Sequence, residues 1–133
     1  MGPNEGQIIR VFVREAGSTV ADSTIAATAA AEVVVEVEAG TTVYNLMAQY
    51  STGLWVKDLI TGTDIPFAPA AANGQLDKPP WQPQATEFVY TLTPAGLAGH
   101  AGHLCRVYAY TLIGGAPPFE ASFAESPLFL VTP

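Results

Sequence analysis

Alternation of apolar and polar residues is the dominant signal along this chain. Between Gln7 and Arg14, Ile9, Val11 and Val13 fall on one side, and Ile8, Arg10, Phe12 and Arg14 on the other. β-Branched residues dominate, so the period of two predicts a strand with Ile9, Val11 and Val13 inward. Glu32 to Glu38 repeats the pattern more sharply. Val33, Val35 and Val37 point one way, while Glu32, Val34, Glu36 and Glu38 form an acidic outer face, as in a half-buried antiparallel strand. Thr42 to Tyr50 is predicted to be the next strand, reached through a Gly40 turn or a sheet-crossing corner, with Tyr44, Leu46 and Ala48 inward. Further strands are expected over Leu54 to Ile60, Thr86 to Thr93 (Phe88, Tyr90 and Leu92 inward), His103 to Ile113 and Glu125 to Thr132. Thr24 to Ala31 reads as a short edge strand or an irregular crossover, since its alanines favour helix while Thr24, Ile25 and Thr28 oppose it.

Glycine and proline punctuate these segments at regular intervals. Gly17, Gly62, Gly114 and Gly115 mark turns, and Pro94 to Gly102 is a Gly/Ala loop. From Thr61 to Gln84 the chain becomes proline-rich and carries the Asn73-Gly74 turn pair, so residues 61–84 are expected to form a long ordered loop within one domain spanning 1–133. Seven or eight strands without a clear helix predict an all-β antiparallel sandwich or barrel.

Composition narrows the possible functions. Only 13% of residues are charged against 49% hydrophobic. A small domain ordinarily carries about twice that share of charge, so part of the exterior is either Thr, Ser, Ala, Gly and Pro or is covered by another chain. The net charge of −7 argues against nucleic acid as partner. Ala39 to Val56, although uncharged, is too interrupted by polar residues to span a membrane. Cys105 is the sole cysteine, which excludes a disulfide scaffold. One free thiol and a start without a basic, apolar leader favour the cytoplasm, with a mature form cut from a longer chain as the alternative.

The row His103-Leu-Cys105-Arg-Val107-Tyr-Ala109, the Gly-Gly-Ala-Pro-Pro turn after it and the closing Pro-Leu-Phe-Leu-Val strand resemble the last strands of immunoglobulin-like and fibronectin type III-like sandwiches. The resemblance runs from Phe88 to the C-terminus. It implies an immunoglobulin-like β-sandwich in which Cys105 takes the inward position of the second intersheet cysteine and His103 that of the corner tyrosine. It also implies display of surfaces and loops for binding, with no particular activity attached.

Candidate chemistry is sparse. His100, His103 and Cys105 are metal-like in type, but no further His or Cys completes a closed site, so no metal and no cofactor is expected. His103 is instead expected to tie the preceding loop to the sheet, and Cys105 to be a buried, inert thiol and not a nucleophile. No Gly-x-Ser-x-Gly elbow, calcium loop or phosphate-cradling glycine motif occurs, and the chain is expected not to be an enzyme. The surface signal is richer. With Cys105, Val107 and Ala109 inward, Leu104, Arg106, Tyr108 and Tyr110 point outward, a composition suited to a protein interface. Either another chain or the Pro-rich loop covers this row. The expectation is a binding or assembly module that self-associates through it. The alternative is a carbohydrate-binding module using Trp55 and Trp81 as stacking platforms, and an enzyme with an unrecognised site comes third.

Overall fold

The computed structural model describes residues 5–70, 72–114 and 120–133. Its strands are β1 (Gly6–Glu15), β2 (Thr24–Ala26), β3 (Ala31–Ala39), β4 (Gln49–Asp58), β5 (Ala72–Gln75), β6 (Ala85–Leu92), β7 (Leu104–Ile113), β8 (Glu120–Glu125) and β9 (Phe129–Thr132). Two short helices, α1 (Thr41–Asn45) and α2 (Pro94–Leu97), join them. The strands form two sheets, one ordered β1-β3-β6 and a larger one ordered β2-β9-β7-β4-β5, with β8 also pairing β7. All pairings are antiparallel except β2 with β9, so the larger sheet is mixed. The inner faces meet in a core that includes Val11, Val35, Tyr90, Val56, Val107 and Phe129. The molecule is thus mostly β and β-sandwich-like. Among the described residues, no helix is long and apolar enough to cross a membrane.

Three local features depart from simple alternation. In β1, Ile8 pairs with Val37 and Arg10 with Glu36, which leaves Ile9 in a bulge. A bulge switches the parity of a strand. Ile8 therefore faces the core before it, Val11 and Val13 do so after it, and Ile9, expected inward, is 52% exposed. On the outer side of the same sheet, Phe12 and Val34 are register partners and both are buried, so the expected acidic face has an apolar centre. The Arg10 guanidinium lies 4.2 Å from the Phe12 ring centre and Arg14 bonds Glu32 at 2.9 Å, and such long stems cover apolar surface while their charges stay wet.

The segment expected as a strand from Thr42 begins as α1. Gly40 O accepts from Tyr44 N at 3.0 Å, and Met47, at φ 52°, turns the chain back into β4. Leu46, expected inward, is consequently exposed. β4 then runs with Tyr50, Thr52, Leu54, Val56 and Asp58 inward.

The Pro-rich segment is more than a loop. It contains β5, and it inserts Ile65, Leu76 and Trp81 into the core. Trp81 is fully enclosed, edge-on to Tyr50 at 5.0 Å and to Phe88 at 5.7 Å, and its Nε1 donates to Gln84 O at 3.0 Å. Burying its ring stabilises the fold, and the indole N–H has the partner that burial demands. Trp81 is therefore a core residue and not the stacking platform expected of it.

Candidate binding face

β7 lies between β4 and the pair β8/β9, and its alternation is unbroken. Cys105, Val107, Ala109, Thr111 and Ile113 are buried, while Leu104 is exposed and Arg106, Tyr108 and Tyr110 are half-buried on the opposite face. Register then assembles a patch. Trp55 of β4 stands opposite Tyr108, Gly53 opposite Tyr110 and Lys57 opposite Arg106. On the other flank Tyr108 faces Glu125 and Tyr110 faces Phe123. Gly53, lacking a side chain, leaves room for Tyr110 to lean diagonally onto Trp55, with ring centres 5.4 Å apart. Trp55 remains 50% exposed and Phe123 74% exposed. Trp55, Tyr108, Phe123 and Glu125 border an open groove of about 470 Å³.

The polar margin is held in place. Arg106 Nε donates to Ser126 O at 3.1 Å, and its guanidinium lies 3.3 Å from Glu125. Lys57 pairs with Asp64 at 2.7 Å. The Pro-rich segment does not fold over this face. It follows the edge of β4, where Ile65 N donates to Val56 O, and then crosses to β6, where Ala68 and Thr91 exchange backbone hydrogen bonds.

β8 and β9 act as two halves of one strand that changes course at Ser126-Pro127. The buried Ser126 replaces the broken ladder. Its backbone N–H donates to Val107 O at 2.9 Å, and its hydroxyl accepts from Val107 N at 2.9 Å and donates to Pro127 O at 2.8 Å. The break brings Leu130 of β9 opposite Leu104, which extends the outer row.

The histidines sit at the far end of β4. His100 Nδ1 and His103 Nδ1 each lie 2.6 Å from the same oxygen, Oδ2 of Asp58, whose side chain is fully buried. Asp58 Oδ1 accepts from the backbone of Ile60 at 2.8 Å and Thr61 at 3.1 Å. Burial alone would raise the Asp58 pKa, but the hydrogen bonds from His100, His103, Thr61 and Ile60 outweigh it and hold the carboxyl well below the usual carboxylate range. The His103 side chain bonds Asp58 of β4 and not the preceding loop, whose own His100 shares that oxygen. Cys105 stands apart from this trio. Its Sγ is directed at His103 O, and burial, reinforced by the Asp58 charge, pushes the thiol up to about 11. The grouping of His100 and His103 with Cys105 is therefore replaced by one with Asp58.

Two site residues escaped the sequence. Phe123 lies among small residues, Ala121, Ser122 and Ala124, that give a strand little apolar signal. Asp58 had a signal: it shares the inward parity of Leu54 and Val56, and a carboxylate at such a position requires partners.

No protein-family model and no curated protein matches the chain. Among solved structures, 94% of the chain superposes on a protein described as "putative beta-galactosidase from Bacteroides fragilis", with a TM-score of 0.56 and 11% sequence identity. The chain spans 17% of that protein's length. At this identity the likeness concerns the fold alone.

Proposed function

We propose that this chain is a non-catalytic, immunoglobulin-like β-sandwich module that self-associates through the outer face of β4, β7 and β8. The strand arrangement supports the fold reading: β1-β3-β6 opposes β5-β4-β7, and the last strand returns beside β7 with β2 parallel to it. The observation that carries the functional reading is the exposure of Trp55 and Phe123 beside Tyr108 and Tyr110 on an otherwise regular sheet. Large aromatics and arginine are the side chains that concentrate binding energy in protein contacts. The margin carries Lys57 and Arg106 as well as Glu125, so a two-fold axis can set unlike charges of two copies against each other. A stable contact needs about 800 Å² per partner, which is within reach of a three-strand face. The enclosed Cys105 thiol, raised in pKa by burial and turned to a backbone carbonyl, supports the reading without nucleophilic chemistry.

Light scattering of the wild type at rising concentration is expected to show a dimer. Phe123→Glu should keep the native circular dichroism spectrum, because the side chain contributes little to the monomer's core, and should scatter as a monomer; Tyr108→Glu should do the same. A wild type that stays monomeric at millimolar concentration overturns the reading.

A second reading is carbohydrate binding at the same groove. It is favoured by the half-exposed Trp55 ring with Arg106 and Glu125 beside it, and is compatible with the fold of the bacterial neighbour. Trp81 has no part in it. Retention on a glycan array that Trp55→Ala abolishes, without dimerisation, would establish it in place of self-association.

A further inference from the structure

We propose that Asp58, His100 and His103 form a binding site for a divalent transition-metal ion, zinc in the first instance. The donor set is two imidazole nitrogens and one carboxylate oxygen, and the three ligand atoms lie within 4.8 Å of one another. This set suits zinc, which takes His and Asp at about 2.0–2.2 Å and tolerates an open fourth position. The inference is independent of the binding face, which lies elsewhere on the sheet.

The surroundings orient each ligand. Asp58 is the last residue of β4 and is fully buried; two backbone N–H groups hold Oδ1, so Oδ2 alone is presented to the rings. Such outer hydrogen bonds fix a ligating carboxylate. His100 ends a single 3₁₀ turn, and Gly102, at φ 83°, reverses the chain so that His103 reaches the same oxygen. The reversal is tied down by Gly102 N to Val131 O at 2.7 Å, His103 N to His100 O at 3.1 Å and Val131 N to His103 O at 3.1 Å. Ligand atoms around a tetrahedral zinc stand about 3.3 Å apart. A metal would thus lengthen each Asp58–His contact by roughly 0.7 Å and set the two imidazole nitrogens, now within 4.8 Å of each other, at the same spacing. The rings are 14% and 28% exposed, which leaves the fourth position to water. Metal on Nδ1 places the N–H of each neutral ring on Nε2. Cys105 is not among the converging ligands, since its Sγ is buried and turned to His103 O.

The test uses the full chain, stripped with a chelator and titrated with zinc chloride by calorimetry. One zinc per chain is expected, with a rise in Tm that chelator reverses. His100→Asn and His103→Asn each set an amide N–H near the former Nδ1, keeping a donor to Asp58 while removing a strong ligand. Each should weaken zinc binding by more than about 100-fold, beyond the usual effect of losing an outer hydrogen bond, with little change in metal-free Tm. The chain has only two histidines, so the ¹⁵N imidazole spectrum of the wild type gives a readout that needs no variant. On zinc addition both Nδ1 resonances should move to metal-bound positions. Absence of binding at millimolar zinc overturns the proposal, as does equal binding by the double variant, or Nε2 shifts in place of Nδ1. Those outcomes leave the trio as a hydrogen-bonded clamp.

Discussion

Tyr90 shows how far the core shifts a single titration. Burial, then the charges of Tyr110 and Tyr50, push its phenol up to about 12 from an ordinary value near 10. The folded protein keeps this proton where the unfolded chain loses it. The associated stability is therefore fully present below about pH 10 and is lost as pH rises through the folded value. Tyr90→Phe cannot ionise, so between about pH 10 and 12 its urea midpoint should fall less steeply than that of the wild type. Parallel midpoints for the two proteins would show that Tyr90 titrates normally. Tyr90 was legible in the sequence, as were Cys105, Val107 and Ala109, because each sits in an unbroken period of two. Trp81 and Ile65 were not, since they enter the core from irregular backbone, where nothing in the local sequence distinguishes an aromatic aimed inward from one aimed at a ligand.

At the level of elements, the bulge in β1 makes neighbouring isoleucines unequal. Ile8 is packed in the core and Ile9 is half in solvent. Ile8→Ala should cost about 2–4 kcal/mol, from lost transfer energy and the cavity left behind, whereas Ile9→Thr should stay within about 0.5 kcal/mol. Chemical denaturation of the two variants checks this, and strict alternation along the strand would reverse their order. Bulges hide from sequence because only cross-strand pairing defines them. The misread start of β4 has a related cause: Thr42, Val43 and Tyr44 have strand-like side chains, yet the backbone after Gly40 takes a helical turn. The longer uninterrupted strands β3, β6 and β7 were all legible, and β8 was missed for its small side chains.

The whole molecule carries a net charge of −7, which opposes the approach of identical copies. If the apolar face drives pairing, salt screens this repulsion and leaves apolar burial largely intact. Raising sodium chloride from about 20 mM to 500 mM should then tighten the dimer in sedimentation equilibrium, since the Debye length shrinks severalfold. A dimer that loosens with salt would instead be held by ion pairs of Arg106 and Lys57 with Glu125. The scarcity of charge pointed to a covered surface, but composition has no address. Only the register of β4, β7 and β8 brings Trp55, Tyr108, Tyr110 and Phe123 together.

β6 ends the smaller sheet, and an uncovered outer strand invites another chain to extend the ladder. Here the Pro-rich crossing lies along it. Ala68 and Thr91 take up each other's backbone groups, and Pro69 and Pro80 border a small cavity with Glu87 to Tyr90. Prolines have no N–H to donate, so they add no new donor at this edge. The segment that seals the core with Trp81 thereby also occupies part of the β6 edge, which opposes strand-by-strand addition there.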